Sequence, residues 1–529
     1  MKEKISLALK STIIRLMESG ALSHFEIPTI QVARPTEESF GDYTTNIALI
    51  AAKPAGMNPR AVAELIVKEF AVPEISRTEI AGPGHINFYL SDIAFVETLT
   101  HILKAGSRYG NSMQGDGERV NNEFISANPT GPLHLGNGRG GFCADSLACV
   151  MKKAGYDVTN EYYVNDAGEQ VMKLGHSILK DSEAVYGGEY IDALHERLKG
   201  ETDVRIAGEK GATIVLEEMI KPIVQDTMRV HFDVWISEKK IIEDGYVDKA
   251  LGILKEKKLT FESEGALWLK TTEFGDDKDR VLVKSDGSKT YFASDAGYIL
   301  SKMERGFTIL IETWGADHHG YINRFKAVAE MLGFAGEIHF SIVQLVKLVK
   351  DGQEVRMSKR AGNVVAIDEL IEKVGHDVAR FFFLMYSPDT HMNFDLGLAE
   401  ERSEKNPVYY VQYAYARLSS IERKAAEANL TLSAEHLALL VHPKERLLIR
   451  DLMAFPELVE RMAAEKTVHQ LPQYAMRLAD RFHSFYADCR VIDGANLELS
   501  GARLALIRAT KIVLAETLRL MGISAPEKM

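Results

Sequence analysis

From Glu123 to Arg139 the chain reads Glu-Phe-Ile-Ser-Ala-Asn-Pro-Thr-Gly-Pro-Leu-His-Leu-Gly-Asn-Gly-Arg, and few local structures accommodate that order. Val120 and the run Phe124 to Ala127 have strand character. Asn128-Pro129-Thr130-Gly131-Pro132 cannot extend a strand, because proline lacks a ladder donor and glycine frees the backbone. His134-Leu135-Gly136-Asn137 then opens a helix that runs through Gly140-Gly141 into Phe142 and Leu147. A glycine-rich turn from strand to helix leaves backbone N–H groups and the positive end of a helix dipole facing outward, where an anion can sit. With His134 and the Asn137 amide at that point, the anion suggested is a nucleotide phosphate. The plainer reading is a tight corner, and the rest of the chain has to choose between them.

Residues 113–395 alternate strand-like and helix-like segments, which implies the α/β class with a Rossmann-like, doubly wound parallel sheet. After the first strand and helix, Tyr156 to Val164 reads as a second strand. Residues from about 170 to 270 are charged and helical and read as an insertion between two halves of the sheet. Val281-Leu282-Val283-Lys284 and Thr290-Tyr291-Phe292-Ala293 flank a hairpin-like turn, Ser285-Asp286-Gly287-Ser288, with Asp295 at the start of the next helix. Ile309 to Gly315 is a further strand, ending at Ala316-Asp317-His318-His319-Gly320. In such sheets ligands bind at the carboxyl ends of the strands, which marks these end residues. Downstream, Lys350, Arg356, Lys359 and Arg360 cluster between Gly352 and Gly362. A basic loop of this kind can close over phosphates that gain charge during a reaction; a solvated charged turn is the alternative.

At 529 residues the chain exceeds one core. Residues 1–112 read as a separate α/β module. Ile5, Leu9, Ile13 and Leu16 recur at helical spacing, and Ile86, Phe88 and Leu90 alternate with Asn87 and Tyr89. Asn87 and Tyr89 are either the solvent face of a sheet or contacts to a base or ribose. From 396 to 529 strands stop and helical spacing takes over, as in a bundle of four or more helices. There Tyr409, Tyr413 and Arg417 are either core and flank or a stacking surface for unpaired bases. A formal charge of −12 rules out indiscriminate coating of nucleic acid, so any RNA must be held by local basic patches and shape.

Three cysteines, none in a CxxC pair, make no disulfide framework and no structural zinc site. No apolar run approaches a membrane span, and the first ten residues read as an amphipathic helix. A cytoplasmic setting is expected.

Two short motifs, taken with the longer segments, match a known family. His134-Leu135-Gly136-Asn137 resembles the HIGH motif and Arg356-Met357-Ser358-Lys359-Arg360 the KMSKS motif of class I aminoacyl-tRNA synthetases. Ser126 to Pro132, Tyr163 to Gly168, Phe232 to Glu238, Trp314 to Tyr321 and Asn406 to Ala414 resemble the arginyl-tRNA synthetases in particular. The resemblance covers nearly the whole chain. It implies that arginine and ATP, with Mg2+, form an arginyl-adenylate and that the arginyl group passes to tRNA(Arg). It implies that the N-terminal module meets the tRNA elbow and the C-terminal bundle the anticodon. A monomer is expected, with no metal held by the protein.

Residue by residue, the resemblance implies that His134, Asn137, Arg356 and Lys359 serve catalysis. ATP would be bound by His134, Gly136, Asn137, Gly140, Met357, Ser358 and Lys359. Glu238, Asp295 and Tyr291 would hold the guanidinium, which demands carboxylates in a fork geometry. Glu123, Ser126, Asn128 and His318 would hold the rest of the arginine. Asn87, Tyr89, Tyr409, Tyr413 and Arg417 are the candidates for tRNA contact. Two departures stand out: Asn137 replaces the second histidine of HIGH, and arginines open and close the KMSKS match. Two other readings compete, a small-molecule nucleotidylyl transferase and a noncatalytic tRNA-binding relative. The helical C-terminal region weighs against the first, and His134, Lys359 and Asp295 against the second.

Overall fold

The computed structural model describes residues 1–355 and 365–529. Its centre is a five-stranded, wholly parallel sheet. Across it run Glu337–Val343, Ile309–Gly315, Arg119–Glu123, Asp157–Val164 and Val234–Ser237. In chain order that is fifth, fourth, first, second, third. The winding therefore reverses between Arg119–Glu123 and Ile309–Gly315, which makes their carboxyl ends the switch point where such sheets bind ligands.

The helix Leu135–Lys153 follows the first strand and crosses under the sheet. Fourteen of its nineteen residues are buried, so it is enclosed on most sides instead of lying on a surface. Phe142 is fully buried and packs on Phe383, ring centroids 6.0 Å apart, and edge-on to His376 at 5.8 Å. Truncating such a ring to alanine costs about 3–5 kcal/mol. Farther along, Arg380 pairs with Asp145 and donates to the Met521 carbonyl, which ties this helix to the C-terminal end of the chain.

The N-terminal part has an antiparallel sheet, Val32–Ala33, Tyr43–Thr45, His85–Leu90 and Ile75–Ala81 in spatial order, with the helices Lys2–Glu18, Ile47–Ala55, Pro59–Glu69 and Asp92–Ala105. Four long helices, Pro407–Glu427, Pro443–Glu465, Gln470–Asp488 and Leu497–Leu520, form the C-terminal part. Lys153 joins all three regions: its ammonium donates to the Ser107 carbonyl, to Asn111 and to Glu516 at 2.9–3.1 Å.

Four local expectations change. The first strand stops at Glu123, not Ala127. Ile125 (φ 64°) and Ser126 (φ 38°) take the left-handed region, which cannot continue a ladder and is rare for a β-branched residue. The Ile125 side chain fills space that Gly141 leaves open, 2.9 Å from where a Cβ would stand. Second, residues 170–270 are not a wholly helical insertion, because Val234–Ser237 lies within them and edges the parallel sheet. At four residues, this strand is too short to show a period. Third, Thr290-Tyr291-Phe292-Ala293 is not a strand. The Thr290 hydroxyl accepts from Ala293 N and caps the helix Tyr291–Glu304, so capping overrides the β-propensity of the side chains. Fourth, Asn87 is buried, between Thr44 and Glu79 on the neighbouring strands, not on a solvent face.

Candidate active site

At the start of the Leu135–Lys153 helix His134 is the N-cap. Its Nδ1 accepts from Gly136 N at 3.1 Å and Asn137 N at 3.3 Å, while Asn137 Oδ1 accepts from His134 N at 3.0 Å. This reciprocal box satisfies helix-end donors. It also sets the tautomer: an Nδ1 that accepts from N–H groups leaves the ring proton on Nε2. The ring borders the cleft, and loss of water around it pushes its pKa down, with Asp317 opposing. Among the described residues, a neutral imidazole whose Nε2–H has no partner is thus held at the positive end of a helix dipole.

Among the glycines, Gly136 makes room for the His134 ring, whose Cε1 would lie 3.0 Å from a Cβ there. Gly140 packs inward. It is buried, and its missing Cβ would meet Val343 at 3.2 Å and Thr313 at 3.4 Å, so it lets the helix approach the sheet. Arg356, Met357, Ser358 and Lys359 lie outside the described residues. The flanks of that segment are anchored: Val355 N donates to Leu348 O at 2.9 Å, Ile367 N to Leu133 O at 3.0 Å, and Ala366 bridges to His134.

On the other side of the switch point, acidic side chains converge on Tyr163. Burial raises the pKa of this tyrosine strongly, and Glu238, Asp295, Glu123 and Asp166 raise it further, in that order of effect. Glu238 is buried and receives the Ser294 hydroxyl and, with its amide turned to donate, Asn165 at 2.8 Å. Burial first, then Asp295 and Asp166, push Glu238 up to about 7. Burial also lifts Asp295 to about 7, with Arg324 opposing and Glu123 adding to the rise. Neither carboxylate has a cation within ion-pair distance among the described residues. Two acids held close without a counter-charge form a site that a cation stabilises. Asp166 is occupied otherwise, accepting from Ser237 Oγ at 2.6 Å and Lys239 N at 3.1 Å.

Glu123 differs from these two. It is buried, and its Oε2 accepts from Lys302 Nζ at 2.6 Å and the Tyr298 hydroxyl at 2.7 Å, while Oε1 accepts from Ser126 Oγ at 3.1 Å. It therefore already has a cation partner, Lys302, which is shared between Glu123 and Glu312. Ser126 in turn accepts from Tyr163 N at 3.0 Å, so its hydroxyl positions backbone. Tyr291 is 49% exposed and lies over Gly168, its hydroxyl accepting from Glu169 N. Asn128 and His318 are exposed at the cleft edge. The His318 ring meets Trp314 and Tyr321 edge-on.

Some of these groups carry no signal in a linear reading. Lys302 also donates to Glu312 at 2.6 Å, and the single Tyr298 O–H lies between Glu123 and Glu161, 2.6 Å from the latter, which Arg305 pairs. Asp295, Tyr298 and Lys302 are spaced i, i+3, i+7 on one helix face, and that spacing is the signal which could have found Tyr298 and Lys302.

Of the proposed RNA contacts, Tyr413 is 49% exposed and stacks on His483 at 6.0 Å; the Arg417 guanidinium lies 4.7 Å over Tyr486. Tyr409 is half-buried against the core. Tyr89 donates to Glu79 at 2.7 Å under the Arg77 guanidinium, leaving an edge to solvent.

Residues 1–90 match the arginyl tRNA synthetase N terminal domain family, 207–381 the tRNA synthetases class I (R) catalytic domain, and 411–529 the DALR anticodon binding domain. The chain is 43% identical to the arginine–tRNA ligase of Bacillus subtilis, with 100% of this chain and 99% of that protein covered. It is 44% identical to that of Listeria monocytogenes, with 97% of each covered. Among solved structures, a putative arginyl-tRNA synthetase from Campylobacter jejuni is similar with a TM-score of 0.75 at 31% identity, covering 83% of this chain and 100% of that one. The Thermus thermophilus arginyl-tRNA synthetase shares the fold, with a TM-score of 0.77 at 23% identity and 100% of both chains covered. The chain belongs to the arginyl-tRNA synthetases, class I ligases that join arginine to tRNA.

Proposed function

We propose that the cleft performs both half-reactions on ATP, L-arginine and tRNA(Arg), with its parts assigned as follows. The arginine guanidinium enters between Asp295 and Glu238, where its fork of donors meets two carboxylates and relieves their mutual repulsion. Tyr291 closes over that end. Asn128 and His318 lie at the opposite end, toward the α-amino and carboxylate groups. Glu123, held by Lys302, supports the pocket floor.

ATP lies along the start of the Leu135–Lys153 helix and would be brought in with Mg2+ as part of the substrate, the ion lending charge to its phosphates. An arginine carboxylate oxygen attacks the α-phosphorus. The bond to the bridging oxygen breaks and pyrophosphate leaves. His134 donates through Nε2–H to the phosphoryl oxygens as their charge develops, and it needs no proton transfer to do so. The Asn137 amide N–H group adds a second donor. Arg356 and Lys359 hold the leaving phosphates. A ribose hydroxyl of the 3′-terminal adenosine of tRNA then attacks the arginyl carbonyl carbon, and AMP leaves. Tyr413 and Arg417 on the bundle, and Tyr89 on the N-terminal sheet, contact the tRNA; Asn87, being buried, supports its strand. The reaction runs in the cytoplasm, on a single chain.

The observation that carries this reading is the pair Asp295 and Glu238, both lifted to about 7, neither in an ion pair among the described residues and only Asp295 offset, in part, by Arg324. Arginine-dependent exchange of pyrophosphate into ATP, run with and without tRNA, tests it. Exchange with arginine in the presence of tRNA supports it, and robust exchange with a different amino acid, or none with any, refutes it.

A further inference from the structure

A second concave site, which shares no lining residue with the cleft, lies where the N-terminal sheet meets the helix bundle. It encloses about 430 Å³. One wall carries Arg34 and Asp42 from the N-terminal part; the other carries Arg450, Asp451 and Glu457 from the Pro443–Glu465 helix. Lys2, Arg461, Arg477 and Arg481 complete the charged lining.

The charges do not balance. Leaving Arg481 aside, five cationic side chains line the cavity against three carboxylates among the described residues, a surplus of two positive charges in a chain whose formal charge is −12. Each acid already has cations: Arg34 and Lys2 meet Glu457 at 3.1 and 3.5 Å, Arg477 and Arg481 both meet Asp451 at 3.1 Å, and Arg450 pairs with Asp42. Arg461 donates to Gln470, a neutral partner. The cations are also partly withdrawn from water, with Arg34, Arg450 and Arg481 side chains 28%, 33% and 31% exposed. Their positions are braced. Tyr43 donates to Glu457 at 2.7 Å and receives Arg34 at 2.9 Å, and Asp42 accepts from Leu90 N at 2.8 Å. Cations held in a concavity, short of counter-charge and rich in planar forks, suit a phosphate group.

We propose that this seam binds a phosphate group, and that doing so fastens the N-terminal sheet to the bundle. A free oligophosphate and a backbone phosphate of bound tRNA present the same chemistry. The tRNA source rests on the function proposed above; the oligophosphate source does not.

Hydrogen–deuterium exchange across residues 41–45 and 447–461 tests the proposal, with tripolyphosphate in one arm and tRNA in another. The comparison is with the double variant Arg461→Ala, Arg477→Ala, whose side chains are exposed and whose loss leaves Asp451 paired with Arg481. Slower exchange at the seam with tripolyphosphate assigns a free anion. Slower exchange with tRNA alone assigns a backbone phosphate; the variant's tRNA affinity should then depend less steeply on salt, by roughly 0.7–0.9 in the log–log slope for each phosphate no longer neutralised. In either case the variant should need at least about tenfold more ligand for the same protection, the equivalent of one such ion pair. No protection at the seam in either arm, or equal protection in the double variant, overturns the proposal. Pyrophosphate exchange at saturating tRNA, measured on the same variant, should stay near wild type, so failure of the cleft reading and failure of the seam reading give different results.

Discussion

Lys302 donates across 2.6 Å to Glu123, so the carboxylate that ends the first strand of the parallel sheet is neutralised from beneath before any substrate arrives. The lysine side chain is 0% exposed and also serves Glu312 at 2.6 Å. Burial lowers its ammonium's pKa, but the three surrounding glutamates more than offset this. The same residue thus holds strands Arg119–Glu123 and Ile309–Gly315 at the point where the winding reverses.

Removing that cation should leave Glu123 a buried carboxylate with only hydroxyl partners, and Glu312, which burial pushes up to about 8, without its ion pair. Lys302→Met should lose about 3–5 kcal/mol of stability, the usual cost of breaking a buried ion pair from one side. Lys302→Met with Glu123→Gln should recover part of that loss, since the two changes act on one contact. Urea unfolding of the single and double variants measures both, and strictly additive losses would show that the pair is not coupled.

The raised carboxylates set a pH dependence of stability. Asp295 and Glu238 titrate near 7 in the folded chain and near 4 when unfolded. Between those values the folded state binds more protons, so their contribution to stability is full below about pH 4 and falls as pH rises toward 7. Across pH 5 to 8 the urea midpoint of Asp295→Asn, Glu238→Gln should fall less than that of the wild type. Added arginine should raise the wild-type midpoint most above pH 7. Parallel profiles for the two proteins would remove these groups as the cause.

Asp295→Asn should act on arginine more than on ATP. The amide keeps the shape but loses the charge that opposes the guanidinium, so the KM for arginine should rise by about 10–100-fold, as expected for 1.5–3 kcal/mol of charged hydrogen bonding. The KM for ATP should change little. Steady-state exchange kinetics separate the two, and an unchanged arginine KM would place the guanidinium elsewhere.

Asn137 has two separable tasks: its Oδ1 accepts from His134 N at 3.0 Å, and its amide N–H group is proposed to donate to phosphate. Asn137→Asp keeps the acceptor and removes the donor, so stability should hold while pyrophosphate exchange falls at least about tenfold, the equivalent of one hydrogen bond. Asn137→Ala removes both and should also cost about 1 kcal/mol of stability through the missing cap. If the aspartate variant exchanges at the wild-type rate, the amide is only a cap.

Much of this arrangement was legible in the sequence because it rests on short-range rules. The turn from Asn128 to Pro132 had to break a strand, and His134 had to start a helix. The pairing of Asp295 with Glu238 came from matched motifs, and the fold sets both beside Tyr163. What stayed hidden depends on contacts remote in the chain. Gly140 reads as a phosphate glycine, and the sequence does not show that it also lets the helix approach Val343 and Thr313, about two hundred residues away. Asn87 sits at an outward-reading position but is covered. Glu123 looked free to hold a ligand; its partner Lys302 lies 179 positions on. The four residues Val234–Ser237 join the sheet only because Asp157–Val164 offers them an edge.

The central claim is that arginine enters the site as the missing counter-cation of Asp295 and Glu238. Calorimetric titration of arginine at pH 7, in two buffers of different ionisation enthalpy, tests it most directly. With both groups poised near 7, binding of the guanidinium should expel about one proton in the wild type and markedly fewer in Asp295→Asn. Binding of arginine with no release of protons in either buffer would contradict it.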